Sequence, residues 1–245
     1  MYRIAVKQYI EQHGFEALCP KAVLFDMDGV LYDSMPNHAK AWQESMSHFG
    51  IEMTAADAYA TEGARGVDTI RKMVMSQQGR SINEAEAQLM YDEKTRIFHE
   101  LPEAPVMPGV RELMAQIKAG GIGCGVVTGS GQRPLIQRIL TDFGDFVDAA
   151  HITTAYDVKR GKPAPDPYLM GLRKAGNLQP YEAIVVENAP LGIRAGVAAR
   201  IFTVGVNTGP LPSQTLLDAN AHLLFQTMQD FSDSWQSLMQ SLQHP

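Results

Sequence analysis

Short apolar runs divided by turn signals set the frame of this chain. Residues 21–25, 122–127, 183–186 and 201–206 are almost wholly apolar stretches, each followed by a turn or a helix-opening signal. Strands buried on both faces read this way, as in a parallel sheet with helices on either side. Between the first and second run the texture changes: Ala39, Trp42, Met46 and Phe49 recur at helical spacing after Pro36, and Gly50 closes that helix. Ser81-Ile82-Asn83-Glu84 reads as a capping box opening a helix through Leu89 and Phe98, and Thr54-Ala55-Ala56-Asp57 opens another. No strand signal appears there. The proline-rich stretch 102–108, with Gly109 after it, returns the chain to strand and helix alternation. The expected division is a doubly wound α/β core of residues 1–35 and 105–245, with a small all-helical domain of residues 36–104 inserted into it. A stripe of Met228, Phe231, Trp235, Leu238 and Leu242 predicts a final packing helix.

Composition narrows the function classes. With 245 residues, 45% hydrophobic and 20% charged, the chain is an ordinary globular one with room for a sizeable core and a smaller second unit. Cys19 and Cys124 are too few for a disulfide framework and read as two reduced core thiols, which points to a reducing compartment, the cytoplasm. Arg3, Lys7, Glu11 and Gln12 interrupt the apolar residues of the first segment, unlike a secretory signal. No stretch approaches the roughly 18 apolar residues of a membrane span. A net charge of −6 repels polyanions, so nucleic acid is not an expected partner, and a phosphate substrate needs local cations. A monomer is the expected state.

Four segments at strand ends carry the candidate chemistry. Asp26 and Asp28 sit two apart after the first run, so alternation puts both carboxylates on one side, and Gly29 lets the backbone turn beside them. Asp and Gly also end strands in plain turns. A calcium loop is excluded, because a loop starting at Asp26 has Leu31 and Asn37 where an EF-hand needs Gly and Glu. Thr128, Gly129 and Ser130 offer a hydroxyl and small residues whose N–H groups face an anion at a helix start, as many strand-to-helix turns do. Lys162 is stiffened by Pro163, Pro165 and Pro167, although in isolation an exposed lysine is the simpler reading. Glu187 leaves a fully apolar strand, where a carboxylate is costly unless it meets a cation, and Asn188 before Pro190 is also a candidate helix cap. Co-occurrence decides, since ligands of open parallel sheets bind outside the carboxyl ends of the strands.

On these residues the chain resembles the haloacid dehalogenase superfamily of phosphotransferases: Asp26-Met27-Asp28-Gly29-Val30-Leu31 as its first motif, Thr128 its second, Lys162 its third and Glu187-Asn188 its fourth. The insertion after the first motif, with Pro36-Asn37-His38 through Trp42, is similar to the β-phosphoglucomutase-like branch and its mobile cap on a Rossmann-like core. The run from Val186 to Gly192 resembles bacterial inorganic pyrophosphatases of that branch. Two departures stand out: Asn188 where relatives commonly carry Asp, and Gly66 near the position where the mutases carry a phosphate-gripping arginine.

The resemblance implies a phosphoaspartate on Asp26, with Asp28 as acid and then base. It implies Mg2+ held by Asp26, Asp28 through its carbonyl, Asn188, and Glu187 directly or through water, and a phosphate held by Thr128, Gly129, Ser130 and Lys162. Asn188 keeps an oxygen but lacks a charge, so weaker metal binding is expected. In the cap, Glu62 and Arg65 lie on a loop between two helices that can reach a cleft, or are solvated partners, and His38 before a helix is a substrate contact or a structural residue. A Mg2+-dependent phosphohydrolase acting on pyrophosphate or a small phosphate ester is the expected function, ahead of a β-phosphoglucomutase and of a non-catalytic phosphate-binding module.

Overall fold

The computed structural model describes residues 2–130 and 133–242. Six parallel strands form one sheet in the order β3-β2-β1-β4-β5-β6. They are β1 (Ala22–Phe25), β2 (Gly123–Val127), β3 (Ile152–Thr153), β4 (Ala183–Glu187), β5 (Phe202–Val206) and β6 (Leu223–Phe225). The four apolar runs are β1, β2, β4 and β5, the centre of the sheet. The edge strands β3 and β6 have only two and three residues, too few to display a period.

Side chains of β1 alternate between two cores. Val23 and Phe25 join the larger cluster, with Leu113 and Ile117 of α6 (Val110–Ala119) and Phe231 and Trp235 of α11 (Met228–Leu242). Leu24 faces the other way, onto Tyr168 and Leu172 of α8 (Asp166–Lys174) and Ala195 of α9 (Pro190–Ala198). Two-sided burial is why these strands are continuously apolar rather than alternating. Of the predicted α11 stripe, Met228, Phe231, Trp235 and Leu238 are buried and Leu242 packs at its edge.

Four helices separate β1 from α6: α2 (Met35–Ser47), α3 (Ala55–Ala60), α4 (Gly66–Gln78) and α5 (Glu84–Glu100). They bury a cluster of their own, including Trp42, Met46, Ile70, Val74, Ala87 and Met90, as expected of an inserted helical region. Thr54 and Asp57 form the anticipated capping box on α3, and Gly50 (φ 68°) ends the turn after α2. The second box is corrected: Asn83, not Ser81, caps α5, its side chain accepting from the Glu86 amide at 2.9 Å.

The sequence reading did not anticipate α1 (Tyr2–His13) as a packed element. Tyr9 is fully buried, and its hydroxyl donates to the Arg200 carbonyl at 2.9 Å while Arg200 Nη2 donates back to the His13 carbonyl at 2.7 Å. The thiols also need correction, because Cys124 is buried but Cys19 is exposed. Among the described residues, no helix is long and apolar enough to cross a membrane. The remaining α-helices among the described residues are α7 (Arg133–Phe143) and α10 (Ser213–Asp218).

Candidate active site

The central strands deliver their following residues to one place. Phe25 is in register with Val126 and Val186, so Asp26 leaves β1 between the ends of β2 and β4, beside Thr128 and Glu187. Strand order reverses around β1, the crevice position at which open α/β sheets bind ligands.

Asp26, Lys162 and Glu187 form a buried cluster. Lys162 Nζ donates to Asp26 Oδ1 at 2.5 Å and to Glu187 Oε1 at 2.6 Å, and its side chain is only 2% exposed. The simple reading of Lys162 as an exposed lysine therefore does not hold. Burial alone would lower its ammonium, but Asp26 and Glu187 outweigh it and hold Lys162 charged. The Asp26 carboxyl is pushed up to about 7 by burial, partly offset by Lys162, with Glu187 and Asp28 adding repulsion.

Both oxygens of Glu187 are engaged. Oε1 also accepts the Tyr168 hydroxyl at 2.6 Å, and Oε2 accepts from the amides of Asn188 and Ala189 at 3.2 and 3.3 Å. A Cβ at Gly192 would lie 1.9 Å from Oε1, so the carboxylate fits only against a glycine. In this arrangement the Glu187 carboxylate anchors Lys162. Asn188 does not cap α9, whose cap position is Ala189. Its Oδ1 is buried without a hydrogen-bond partner, and its Nδ2 occupies the space a Cβ would take at Gly29 (φ 79°). Thr208 Oγ1 ties the same turn by donating to the Gly29 carbonyl at 2.6 Å.

Asp28 lines the same cavity as Asp26 but has different partners. Ser34 Oγ donates to its Oδ1 at 2.6 Å, His38 Nε2 lies 3.2 Å from that oxygen, and Lys94 Nζ lies 2.8 Å from His38 Nδ1. Burial would raise Asp28, but His38, Ser34 and Lys94 together hold it below the usual carboxylate range. Burial and the Lys94 charge lower His38, which as a neutral ring accepts from Lys94 at Nδ1 and donates to Asp28 from Nε2. Lys94 itself is pushed down to about 8 by burial, with Asp28 and Glu62 acting against that fall. Its ammonium lies 4.8 Å from the Phe98 ring centre and 5.4 Å from that of Trp42.

Glu62, also on this cavity, is held well above its usual range by burial and by the charges of Asp26, Asp28 and Glu187, and its Oε2 has no partner. Its carboxyl shares the chamber with those of the two aspartates. Arg65 turns outward instead, 3.8 Å from Asp68 and 3.5 Å from Glu84. The Thr128 hydroxyl is buried and accepts from the Ser130 amide at 3.0 Å, and Gly129 and Ser130 line the cavity. The cap loop closes on the core at Gly63 (φ 82°), where a Cβ would sit 3.2 Å from the Lys162 side chain.

The chamber so enclosed measures about 110 Å³. Its far wall explains Gly66: a Cβ there would meet the Tyr91 ring at 2.1 Å. Sequence reasoning missed Ser34, Tyr91, Lys94, Tyr168 and Thr208. Only Lys94 carried a signal, as a cation on the buried stripe Ala87, Met90, Lys94 and Ile97 of α5.

Similarity to known proteins agrees with this geometry. The profile of haloacid dehalogenase-like hydrolases matches residues 20–200. A validoxylamine A 7'-phosphate phosphatase of Streptomyces hygroscopicus subsp. limoneus is 33% identical over 77% of this chain and 86% of its own. Hexitol phosphatase A of Escherichia coli is 32% identical over 76% and 83%. A solved structure from Bacteroides vulgatus, provisionally named a beta-phosphoglucomutase, is 46% identical with a TM-score of 0.94, covering 99% of this chain and 98% of that one. With a matching profile across most of its length, phosphatase relatives and the motif residues gathered at one sheet end, the chain belongs to the haloacid dehalogenase-like hydrolases, in their β-phosphoglucomutase-like branch, and is an enzyme of the phosphatase kind.

Proposed function

We propose that the protein is a Mg2+-dependent phosphohydrolase that works through a phosphoaspartate, with inorganic pyrophosphate as its preferred substrate. The observation that carries the substrate reading is the small chamber in which Glu62, its protonated form favoured by burial and by the neighbouring carboxylates, lies with Asp26 and Asp28. A protonated carboxyl donates to an anionic oxygen rather than repelling it, and about 110 Å³ is well below the roughly 300 Å³ at which pockets for larger ligands begin. Lys94 is the only lysine or arginine lining the chamber among the described residues, and His38 already takes one of its protons.

Asp26 is the nucleophile. Lys162 occupies Oδ1, which leaves Oδ2 to attack phosphorus as the bond to the leaving oxygen breaks and its electron pair goes to that oxygen. Asp28 supplies the proton for the leaving oxygen and then takes one from the water that cleaves the phosphoaspartate, returning Asp26 as a carboxylate. Asp28 rests ionised, so it loads a proton before the first step, and the Lys94–His38 pair set against it lies along the path for that proton. Lys162, the Thr128 hydroxyl and the Gly129 and Ser130 turn hold the transferring group, while Glu187 and Tyr168 keep Lys162 in place.

The orphaned Asn188 Oδ1 supports a magnesium site, because with the Asp26 carboxylate and the Asp28 carbonyl it completes an all-oxygen donor set. No group of three His, Cys, Asp or Glu with metal-binding geometry occurs among the described residues, consistent with a site that relies on an amide and a backbone oxygen. When bound there, the ion neutralises charge on the transferring phosphoryl oxygens. The Asp26, Asp28 and Asn188 oxygens would hold it, while Glu187 holds Lys162.

The second reading, a β-phosphoglucomutase, is favoured by the 46% identity to the provisionally named Bacteroides protein. Against it stands the Gly66–Tyr91 wall, which has a glycine against an aromatic ring, and whose neighbouring cation, Lys94, is already engaged with His38. A phosphate-release screen with Mg2+ over pyrophosphate, hexose phosphates and phosphoglycolate, run on the parent and on Glu62→Ala, tests the proposal. Pyrophosphate should lead, and Glu62→Ala should lower its turnover about tenfold or more while sparing bulky artificial esters. Unaffected pyrophosphate turnover in Glu62→Ala, or interconversion of β-glucose 1-phosphate and glucose 6-phosphate faster than any phosphate release, defeats it.

A further inference from the structure

A second cavity of about 360 Å³ adjoins the catalytic chamber and differs from it in charge. The two meet at Gly63, Ala64 and Gly129, where a Cβ on Gly129 would lie 3.9 Å from the Gly63 carbonyl oxygen, so the partition is two strands of bare backbone. The chamber carries the three carboxyl groups of Asp26, Asp28 and Glu62. The outer cavity is lined by Arg65, Lys159 and Lys162 and, among the described residues, by no Asp or Glu. Lys162 is paired with Asp26 and Glu187, and Arg65 with Asp68 and Glu84, so the uncompensated positive charge of this lining is that of Lys159.

The cations form a sequence from inside to outside. Lys162 is buried against Asp26 and stands at the inner end with the Thr128–Gly129 turn. Lys159 is exposed at the mouth and has no ion-pair partner among the described residues, unlike its neighbour Arg160, which is held by both Asp166 oxygens at 3.1 and 2.8 Å and does not line the cavity. Arg65 spans the seam between cap and core, its Cγ 3.9 Å from where a Cβ of Gly161 would be. Thr128, Gly129 and Lys162, which hold a phosphoryl group on Asp26, thus also line a second cavity that lies across the Gly63–Gly129 backbone from the chamber.

We propose that this cavity is a binding site for free inorganic phosphate, which receives the product after the Gly63 loop moves off Lys162. The inference rests on the phosphohydrolase reading but not on the identity of the leaving group. A phosphate released from Asp26 is drawn along Lys162 toward Lys159 and Arg65, while the leaving group departs through the chamber when the cap opens. The phosphate already present in solution occupies the same site and acts as a product inhibitor.

The test is calorimetric titration of inorganic phosphate into the parent, Lys159→Gln, Lys159→Glu and Arg160→Gln, with product inhibition measured beside it. Removing one exposed charge beside an anion is worth about twofold to threefold and reversing it about fivefold in water, with the effect fading as salt rises. Phosphate binding and inhibition should weaken by those factors in the Lys159 variants, stay at parental strength in Arg160→Gln, and leave kcat/KM at vanishing phosphate within about twofold. Val158→Trp, which narrows the same cavity, should weaken phosphate binding without changing the fold as read by circular dichroism. Parental phosphate affinity in Lys159→Glu, an equal loss in Arg160→Gln, or no phosphate binding to the parent overturns the inference. If pyrophosphate is not turned over but phosphate binding depends on Lys159, the substrate reading fails and this site stands. If pyrophosphate is turned over and phosphate binding ignores Lys159, the reverse holds.

Discussion

Replacing Lys94 with methionine should make the protein more stable at neutral pH and far less active. The ammonium is buried among Phe98, Trp42 and Tyr91 and is pushed down from 10.5 to about 8, chiefly by burial, which corresponds to about 3 kcal/mol of penalty for holding it charged at pH 7. Methionine keeps the length and suits an aromatic pocket. It leaves His38 Nδ1 without its 2.8 Å partner, at a cost of about 1–2 kcal/mol. The net gain at pH 7 is therefore about 1–2 kcal/mol, or roughly 2–6 °C in Tm. The sign reverses with pH. Between pH 8 and 10.5 the unfolded chain still binds the Lys94 proton and the folded one does not, so the parent gains stability relative to the variant across that window, by about 3 kcal/mol in all. Urea unfolding of both proteins at pH 7, 8, 9 and 10 measures the gap, and phosphate release should fall about hundredfold in the variant. A gap that stays constant from pH 7 to 10 would show that Lys94 is not a strained cation, and the account of the His38–Asp28 relay would lose its source of charge.

Asp26→Asn should fold like the parent and turn over less than about a thousandth as fast, because an amide is no nucleophile; phosphate release and a thermal melt check both halves. Glu187→Gln should destabilise by about 3 kcal/mol, since Lys162 and the Tyr168 hydroxyl lose a buried anion, and urea midpoints will show it. Gly66→Ala should cost about 1–3 kcal/mol by driving a Cβ into the Tyr91 ring, and the Gly66→Ala/Tyr91→Ala pair should recover part of that loss; additive losses in the cycle would refute the contact. Asn188→Asp should tighten Mg2+ in a titration of the protein without substrate, because it adds a charge to an oxygen that now accepts nothing.

The central sheet was legible in the sequence because strands buried on both faces are apolar along most of their length, and β1, β2, β4 and β5 are so but for Thr203 and the terminal Glu187. The helical insertion was legible from the 3.6-residue stripe of α2 and the caps of α3 and α5, with the true cap of α5 two residues from the expected one. Local composition held nothing comparable for β3 and β6, which exist only because a neighbouring strand pairs with them, or for α1, which is buried through Val6 and Tyr9 packing in a core shared with residues roughly two hundred positions away. The motif residues Asp26, Asp28, Thr128, Lys162, Glu187 and Asn188 were identifiable by type and order, since all but Lys162, which lies in the loop after β3, stand at or just after the ends of central strands. Their roles toward one another were not. Whether Lys162 is exposed or locked between Asp26 and Glu187, whether Asn188 caps a helix or leaves an oxygen free, and whether Glu62 is a charge or a neutral acid depend on which groups meet in a dry interior. Burial and neighbouring charge set protonation and pairing, and both come from residues far apart in the chain, so only the tertiary structure decides them.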